Sequence, residues 1–328
     1  MYREKTIAAV VPAYNEEHLI GRVIETMPDY VDRIVVIDDN STDKTREIVE
    51  GLRKEDKRVE LITHESNTGV GTAIGSGYKW CRDKGIDVAV VLAGDAQMDP
   101  DDMPGLLDPV VEELADYAKG NRLFTGEAWQ IIPRARYLGN ATLSLLTKIA
   151  SGYWHVADSQ TGYTAIGKHA LHTLPLDSIY PRYGMPNDFL VTLNIYNMRV
   201  IDVPVKPVYG IGEKSGIKIG RIGFQLAPLL VRLFFRRMIQ KYVIRDFHPL
   251  VFFYLFGCFV LMLDVFFVIQ FFWLWARHGT VPPITALAVL FCTITGLQSV
   301  LFAMLFDMEA NRDLKGGRCC PPDTVPHP

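Results

Sequence analysis

The stretch 249–306 is almost continuously apolar, and it limits the folds open to this chain more than any other feature of the sequence. Two segments within it, Phe252–Trp275 and Ile284–Phe306, are each about long enough to cross roughly 30 Å of hydrocarbon as an α-helix. Pro282-Pro283 predicts a turn between them. Because apolar runs of this length are rare in soluble cores, we expect a two-helix transmembrane hairpin, with a buried soluble hairpin as the alternative.

Basic residues flank the predicted hairpin on both sides. Before the first span lie Arg221, Arg232, Arg236, Arg237, Lys241 and Arg245, and after the second lie Arg312, Lys315 and Arg318. The loop between the spans holds only Arg277 and His278. Because Lys and Arg accumulate on the cytoplasmic side of membrane proteins, we expect both termini to be cytoplasmic. Leucines interleaved with the first basic group predict amphipathic juxtamembrane helices in the lipid headgroups over 217–247, with an ordinary surface helix as the alternative.

Residues 1–216 have the composition of a soluble domain, in which short β-branched runs alternate with helical patterns. The predicted strands are Thr6–Val11, Arg33–Ile37, Val59–Thr63, Val88–Ala93 and Val200–Val208. This alternation is typical of an α/β fold with a mostly parallel sheet and flanking helices. We therefore divide the chain into a cytosolic domain (1–216), juxtamembrane helices (217–247), two transmembrane helices (248–307) and a disordered cytosolic tail (308–328).

Polar motifs follow the first two predicted strands, where the loops of a parallel sheet converge on a ligand crevice. The first motif, Pro12-Ala-Tyr14-Asn-Glu16, combines a stiff turn with an aromatic ring that can stack on a base. The second motif, the acidic loop from Asp38 to Asp43, can accept hydrogen bonds from base and ribose groups while capping the next helix. Each motif alone is a weak signal for a nucleotide site.

A third motif, Asp95-Ala96-Gln97, follows the fourth predicted strand. Two oxygen-bearing side chains two positions apart lie on the same side of an extended turn, as a hard divalent cation requires. Such a cation neutralises a diphosphate and helps it leave, which is the main electrostatic demand of sugar transfer from a sugar nucleotide. An isolated pattern of this kind is often only a turn, so its weight comes from its place in an ordered set of motifs at strand ends.

The ordered set also includes Asn67-x-Gly69-x-Gly71, and the third motif continues to Asp99-Pro100. Together these motifs resemble those of family-2 glycosyltransferases with the GT-A fold, a Rossmann-like architecture. More narrowly, the chain resembles the branch of dolichol-phosphate mannose synthases and other polyprenyl-phosphate glycosyltransferases. The likeness covers about residues 6–216 by motif, and the two-span tail is similar to that of a membrane-anchored subgroup.

The resemblance implies a nucleotide-sugar site composed of Pro12, Tyr14, Glu16, Asp38, Asp39, Asp95, Ala96, Gln97 and Lys214. It further implies that Asp95 and Gln97 bind Mg²⁺ or Mn²⁺ together with the diphosphate. Gln97 stands where many relatives have a second aspartate, so this site carries one negative charge fewer and we expect a lower metal affinity. For Lys214, a solvated turn is an equal alternative.

The resemblance also implies an acceptor site, in which Arg122, Arg134 and Arg136 bind the phosphate of a lipid. Solvent-facing arginines are the alternative. Asp188 stands where sugar-acceptor enzymes carry a general base. A lipid phosphate is already ionised at neutral pH and needs no strong base, so we expect Asp188 to orient donor hydroxyls or a loop. The candidate catalytic residues are thus Asp95, Gln97 and Asp188.

The predicted function is metal-dependent, inverting transfer of a hexosyl group from GDP-mannose or a UDP-sugar to polyprenyl or dolichyl phosphate. One alternative is a processive polysaccharide synthase, which would show more spans and a Gln-x-x-Arg-Trp motif. Another is a non-catalytic membrane scaffold for lipid-linked sugars. We expect contact with the lipid bilayer, a hairpin open to homo-oligomerisation and no nucleic-acid partner.

Overall fold

Seven strands form a mixed sheet in the computed structural model, which describes residues 1–123, 134–206, 208 and 219–317. The strands are β1 (Ile7–Ala13), β2 (Arg33–Asp38), β3 (Val59–Thr63), β4 (Val88–Val91), β5 (Tyr117–Asn121), β6 (Thr164–Gly167) and β7 (Val200–Pro204). Their order across the sheet is β3-β2-β1-β4-β6-β5-β7. Neighbouring strands are parallel, except that β6 is antiparallel to both β4 and β5. The predicted α/β class with a mostly parallel sheet is confirmed.

The helices among the described residues are α1 (Ile20–Glu25), α2 (Thr45–Glu55), α3 (Val70–Asp83), α4 (Met103–Val111), α5 (Arg134–Ser151), α6 (Lys168–Thr173), α7 (Met185–Ile195), α8 (Ile219–Ile239), α9 (Leu250–His278) and α10 (Pro283–Ala310). Helices α1, α2 and α4 cover one face of the sheet, and α3, α6 and α7 cover the other. Strand β1 is therefore buried at every position, which explains its continuous apolar run. This three-layer arrangement leaves the carboxyl ends of the strands open for a site.

The chain divides into two units, of which the first comprises residues 1–234 with the segment from Asp313 onward, and the second comprises 235–312. In the second unit, α9 and α10 are each long and apolar enough to cross a membrane, and they pack along each other. Thr293 Oγ1 donates to Asp264 Oδ2 at 2.7 Å between these two helices. Arg237 makes two hydrogen bonds to Asp307, at 2.7 and 2.9 Å, and both side chains are fully buried. Polar contacts therefore add to the apolar packing of this unit.

The segment after α10 belongs to the first unit. Leu314 joins the apolar core beside the sheet, and Lys315 pairs in parallel with Val200 of the edge strand β7. The tail predicted to be disordered from residue 308 is therefore ordered through Gly317. The physical reason is that α10 continues beyond residue 308 and the segment after it extends the edge of the sheet.

Candidate active site

The loops that follow β1 and β2 are braced against each other by hydrogen bonds between side chains and backbone. Asn15, at a φ of 57°, accepts from the N–H of Thr42 through Oδ1 (2.8 Å), and its own N–H donates to Ser41 Oγ (3.0 Å). Asp43 accepts from the N–H of Glu17 at 3.1 Å. Because β1 and β2 are parallel neighbours, these bonds join the first two polar motifs into one rim at the sheet edge.

Asp39 lies at this rim, buried and surrounded by hydrogen-bond donors. Its Oδ1 accepts from the N–H of Thr68 (3.0 Å) and lies 2.7 Å from His64 Nδ1, and its Oδ2 accepts from the N–H of Gly69 (2.7 Å). Burial disfavours the ionised form, but the hydrogen bonds from His64, Thr68 and Gly69 outweigh it and lower the pKa of Asp39. Asp39 thus ties the end of β2 to the start of α3.

The other predicted nucleotide residues of this rim differ in their accessibility. Tyr14 lies just beyond β1 and is 46% exposed, so a ligand can reach its ring. Pro12 is buried within β1, opposite Ile37 of β2. Asp38 is buried and accepts from the N–H of Ser41 at 3.1 Å. Pro12 and Asp38 therefore shape the rim, whereas Tyr14 is open to stacking.

Asp95, Ala96 and Gln97 form a tight turn beyond the end of β4. The N–H of Gln97 donates to Asp95 Oδ1 at 3.1 Å, and Ala96 has a φ of 55°. Burial, followed by the negative charges of Asp95 and Asp43, raises the pKa of Glu16 to about 7. Carboxyl groups that repel each other at a strand end favour a bound cation. Within the described ranges, His, Cys, Asp and Glu form no three-ligand metal cage, so a cation here would take further ligands from phosphate and water.

The start of α3 is closed by the loop 180–183, which precedes α7. The N–H of Gly71 donates to the carbonyl oxygen of Pro181 at 2.9 Å. A Cβ at Gly69 or Gly71 would overlap the backbone of this loop, which explains the two glycines of the predicted motif. Asp188, buried in the first turn of α7, accepts from the N–H of Tyr180 at 3.1 Å. In this structure, Asp188 therefore holds the loop that closes α3.

Arg122 lies just beyond β5 and forms a forked ion pair with Asp158. Arg122 Nε donates to Oδ2 at 2.8 Å and Nη2 donates to Oδ1 at 3.3 Å. Asp158 is completely buried, and although burial opposes its ionisation, the charge and hydrogen bonds of Arg122 lower its pKa. The Arg122 side chain remains partly exposed. Arg134 and Arg136 lie in the first turn of α5, but their side chains, like the whole of Lys214, lie outside the described residues.

Helix α5 buries small polar side chains and exposes leucines. Ser144 and Thr147 are buried, and Thr147 Oγ1 donates to Asn187 Oδ1 at 2.7 Å. Leu145 and Leu146 are 55% and 44% exposed. Packing among the described residues of the first unit leaves these two leucines exposed, so an apolar ligand can reach them.

His64 and Lys119 are among the residues near the site that were not predicted from the sequence. His64 bonds to Asp39 and directly follows β3, so its position at a strand end was a usable signal. Lys119 is 1% exposed within β5, beside Arg122 and Asp158. A lysine in a strand ordinarily indicates a solvated position, so no local signal marked Lys119 as buried.

The family model described as "Glycosyl transferase family 2" matches residues 8–174, about half of the chain. The UDP-N-acetylglucosamine–dolichyl-phosphate N-acetylglucosaminyltransferase of Methanococcus voltae is 32% identical over 219 residues, which are 63% of this chain and 87% of that protein. The polyprenol monophosphomannose synthase of Mycolicibacterium smegmatis is 27% identical over 232 residues, which are 68% of this chain and 86% of that protein. Both matches indicate a glycosyltransferase domain, in agreement with the family model.

Among solved structures, glucosyl-3-phosphoglycerate synthase from Mycobacterium tuberculosis, in complex with Mn²⁺, UDP and glucosyl-3-phosphoglycerate, has a TM-score of 0.52. It is 20% identical in sequence, and the match covers 71% of this chain and 80% of that one. Identity at this level establishes a shared fold and carries no assignment of substrate.

Proposed function

Because this chain is a glycosyltransferase that belongs to family 2, we propose that it transfers a hexosyl group from a nucleotide diphosphate sugar to a polyprenyl phosphate at a membrane surface. The observation that carries the proposal is the turn formed by Asp95, Ala96 and Gln97, which lies within electrostatic reach of Glu16. This concentration of negative charge suits a cation and, through it, a diphosphate. The candidate donors are GDP-mannose and UDP-hexoses.

On the donor side, we propose that Tyr14 stacks on the base and that the rim braced by Asn15 and Asp43 binds the nucleoside. Asp95 and Gln97 would hold Mg²⁺ or Mn²⁺, since both offer the oxygen ligands that these ions prefer. When bound, the ion neutralises charge on the diphosphate and makes it a better leaving group. Lys214 is proposed to contact the same diphosphate.

On the acceptor side, we propose that Arg122 binds the lipid phosphate, with Arg134 or Arg136 as a second contact. A phosphate oxygen then attacks C1 of the sugar, while the bond from C1 to the diphosphate oxygen breaks and its electron pair leaves with the nucleotide. Attack opposite to the leaving group inverts C1. The acceptor oxygen is already ionised, so no side chain has to remove a proton, and Asp188 serves by holding the loop 180–183.

The nature of the acceptor is supported by two observations. Of the two relatives described above, one is named for transfer to dolichyl phosphate and the other for synthesis of polyprenol monophosphomannose. In this chain, the exposed Leu145 and Leu146 of α5 offer a surface for an isoprenoid tail close in sequence to the arginines at the start of that helix. An apolar tail and an anionic head would thus be bound by one helix and its neighbouring loop.

The chain path supports a membrane location with both termini on one side. Two helices long enough to span a bilayer, α9 and α10, separate two parts of the first unit. The segment from Leu314 to Gly317 packs in that unit, which supports the proposal that the chain crosses the membrane an even number of times. The basic residues that flank the spans favour the cytoplasmic side for the catalytic domain.

The test is incubation of the purified full chain with radiolabelled GDP-mannose, UDP-glucose or UDP-N-acetylglucosamine, Mn²⁺ and a short polyprenyl phosphate. We expect label in the organic phase with one of these donors, as a product that mild acid cleaves to free sugar. Label that appears only in a water-soluble acceptor would contradict the lipid assignment. Growth of a polymer would favour a processive synthase, and binding without transfer by any donor would favour a scaffold.

A further inference from the structure

We propose that Lys119 and Asp202 set the electrostatic potential at Arg122 and are positioning residues for the acceptor phosphate. This inference rests on the proposed function, in which Arg122 binds that phosphate. Neither residue is part of the polar motifs at the ends of β1, β2 and β4. Both belong instead to the far half of the sheet, in β5 and β7.

The two residues are direct neighbours across adjacent strands. Lys119 and Asp202 are register partners in the parallel pair β5 and β7, so their side chains lie on the same face of the sheet. Lys119 is 1% exposed, and its Nζ donates to the carbonyl oxygen of Thr161 at 2.5 Å. That carbonyl lies in the segment that begins with Asp158, so the lysine holds the segment that carries the partner of Arg122.

Asp202 holds the same segment from its other side. Asp202 Oδ2 accepts from the N–H of Ala157 at 2.6 Å and from Asn121 Nδ2 at 3.0 Å. Ala157 directly precedes Asp158, and Asn121 directly precedes Arg122. Both members of the forked ion pair are thus fixed by neighbours that bond to Asp202. The other oxygen, Asp202 Oδ1, is buried and has no hydrogen-bond partner among the described residues, so it acts on its surroundings chiefly through its charge.

The four ionisable residues together form a cluster with two positive and two negative groups: Lys119, Arg122, Asp158 and Asp202. Burial lowers the pKa of Lys119 to about 8, against the opposing pull of Asp158 and Asp202. Burial also raises the pKa of Asp202 to about 6. With all four groups ionised, two positive and two negative, the cluster is neutral overall. The charge of Lys119 offsets a carboxylate that would otherwise cancel the attraction of Arg122 for an anion.

A lysine that only stabilises the fold, by balancing buried carboxylates, would have the same surroundings. The test must therefore separate the effect of charge on acceptor binding from the effect of packing. The variants are Lys119→Met, Asp202→Asn and the double variant that carries both. Lys119→Met shifts the net charge of the cluster by −1, and Asp202→Asn shifts it by +1. The double variant leaves the net charge unchanged. Asparagine keeps an acceptor for Ala157 and Asn121, and methionine keeps most of the lysine volume. Methionine loses the hydrogen bond to Thr161, but the double variant loses it as well, so the comparison of the double variant with Lys119→Met isolates the effect of charge.

The readouts are the KM for a short polyprenyl phosphate and the Kd for the sugar nucleotide. We expect Lys119→Met to raise the KM about tenfold, the effect of one unit charge at about 10 Å in a medium of effective dielectric constant of about 20. Asp202→Asn should lower the KM severalfold, and the double variant should return it to within about twofold of wild type. The Kd for the sugar nucleotide should stay unchanged throughout, because the donor motifs lie on other strands.

Equal increases of the KM in both single variants, or no recovery in the double variant, would overturn the inference. If Lys119→Met does not fold, as judged by circular dichroism, Asp202→Asn still decides, because only an electrostatic role lowers the KM. Wild-type protein that transfers no sugar to polyprenyl phosphate would instead defeat the proposed function, and the inference with it. If the wild type transfers sugar but the KM values do not rise in the order Asp202→Asn, wild type, Lys119→Met, the inference fails and the proposed function stands.

Discussion

The two halves of the sheet hold their functional loops in different ways. At the ends of β1, β2 and β4, side chains such as Asn15, Asp39 and Asp95 accept hydrogen bonds from backbone N–H groups of nearby loops. At the ends of β5 and β7, side chains of opposite charge pair over long sequence separations, as Arg122 does with Asp158. The proposed donor half is therefore fixed mainly by hydrogen bonds to the backbone, and the proposed acceptor half by a balance of buried charges. A substitution that removes one charge should therefore reduce stability more at the ends of β5 and β7 than at the ends of β1, β2 and β4.

The largest effect on stability is expected for Asp158→Ala. The substitution leaves Arg122 without its buried partner, and breaking a buried ion pair in this way costs about 3–5 kcal/mol. Chemical unfolding of the full chain in detergent, followed by circular dichroism, measures the loss. The exposed pair of Arg46 and Glu50 is the matched control, since Glu50→Ala should cost less than about 0.5 kcal/mol. Equal losses of unfolding free energy in Asp158→Ala and Glu50→Ala would show that the buried pair stabilises the fold no more than an exposed pair does.

The largest effect on catalysis is expected for Asp95→Ala. Loss of this carboxylate removes a proposed metal ligand and should lower kcat/KM by about 10²–10³, with unchanged unfolding. Initial rates of label transfer to the organic phase measure it. Asp101→Asn removes an exposed carboxylate a few residues away and should retain near wild-type rates. Comparable rates in Asp95→Ala and wild type would contradict the proposed role of Asp95 in binding the metal and the donor diphosphate.

A smaller loss of stability, about 1–3 kcal/mol, is expected for Asp39→Asn, because an amide cannot accept all the donors that surround this carboxylate. The folded-state pKa of Asp39 lies below its unfolded value of about 3.9. Its stabilising contribution is therefore complete above about pH 4 and is lost as the pH falls through the folded pKa. Unfolding measured between pH 7 and pH 3 should show a steeper acid loss in wild type than in the variant. Parallel curves would contradict this assignment.

The motifs of the proposed donor half could be found in the sequence, because each motif is contiguous and follows an apolar run; the roles of their residues stay predictions. The bounds of β3 agree with those predicted from the sequence, Val59–Thr63. The acceptor half depends on contacts between distant segments. The short antiparallel strand β6 lies between β4 and β5, and the pair of Lys119 and Asp202 is 83 residues apart. Neither leaves a local pattern, because pairing partners are chosen by tertiary packing.

The smallest effect is expected for Ser41→Ala, which removes the acceptor for the N–H of Asn15 at a partly exposed position. The loss should be about 0.5–1 kcal/mol in sugar-nucleotide affinity, because the other braces of the rim remain. Titration calorimetry with the donor measures it, and the KM for polyprenyl phosphate serves as the internal control. A larger change in that KM than in donor affinity would show that the two halves are not independent.

The most direct test of the central claim is a titration of wild type and Asp95→Ala with the sugar nucleotide, in Mn²⁺ and in EDTA, alongside a titration with polyprenyl phosphate. We expect that EDTA and the substitution each weaken sugar-nucleotide binding strongly and leave polyprenyl-phosphate binding intact. Donor binding that is indifferent to both the chelator and the substitution would contradict it.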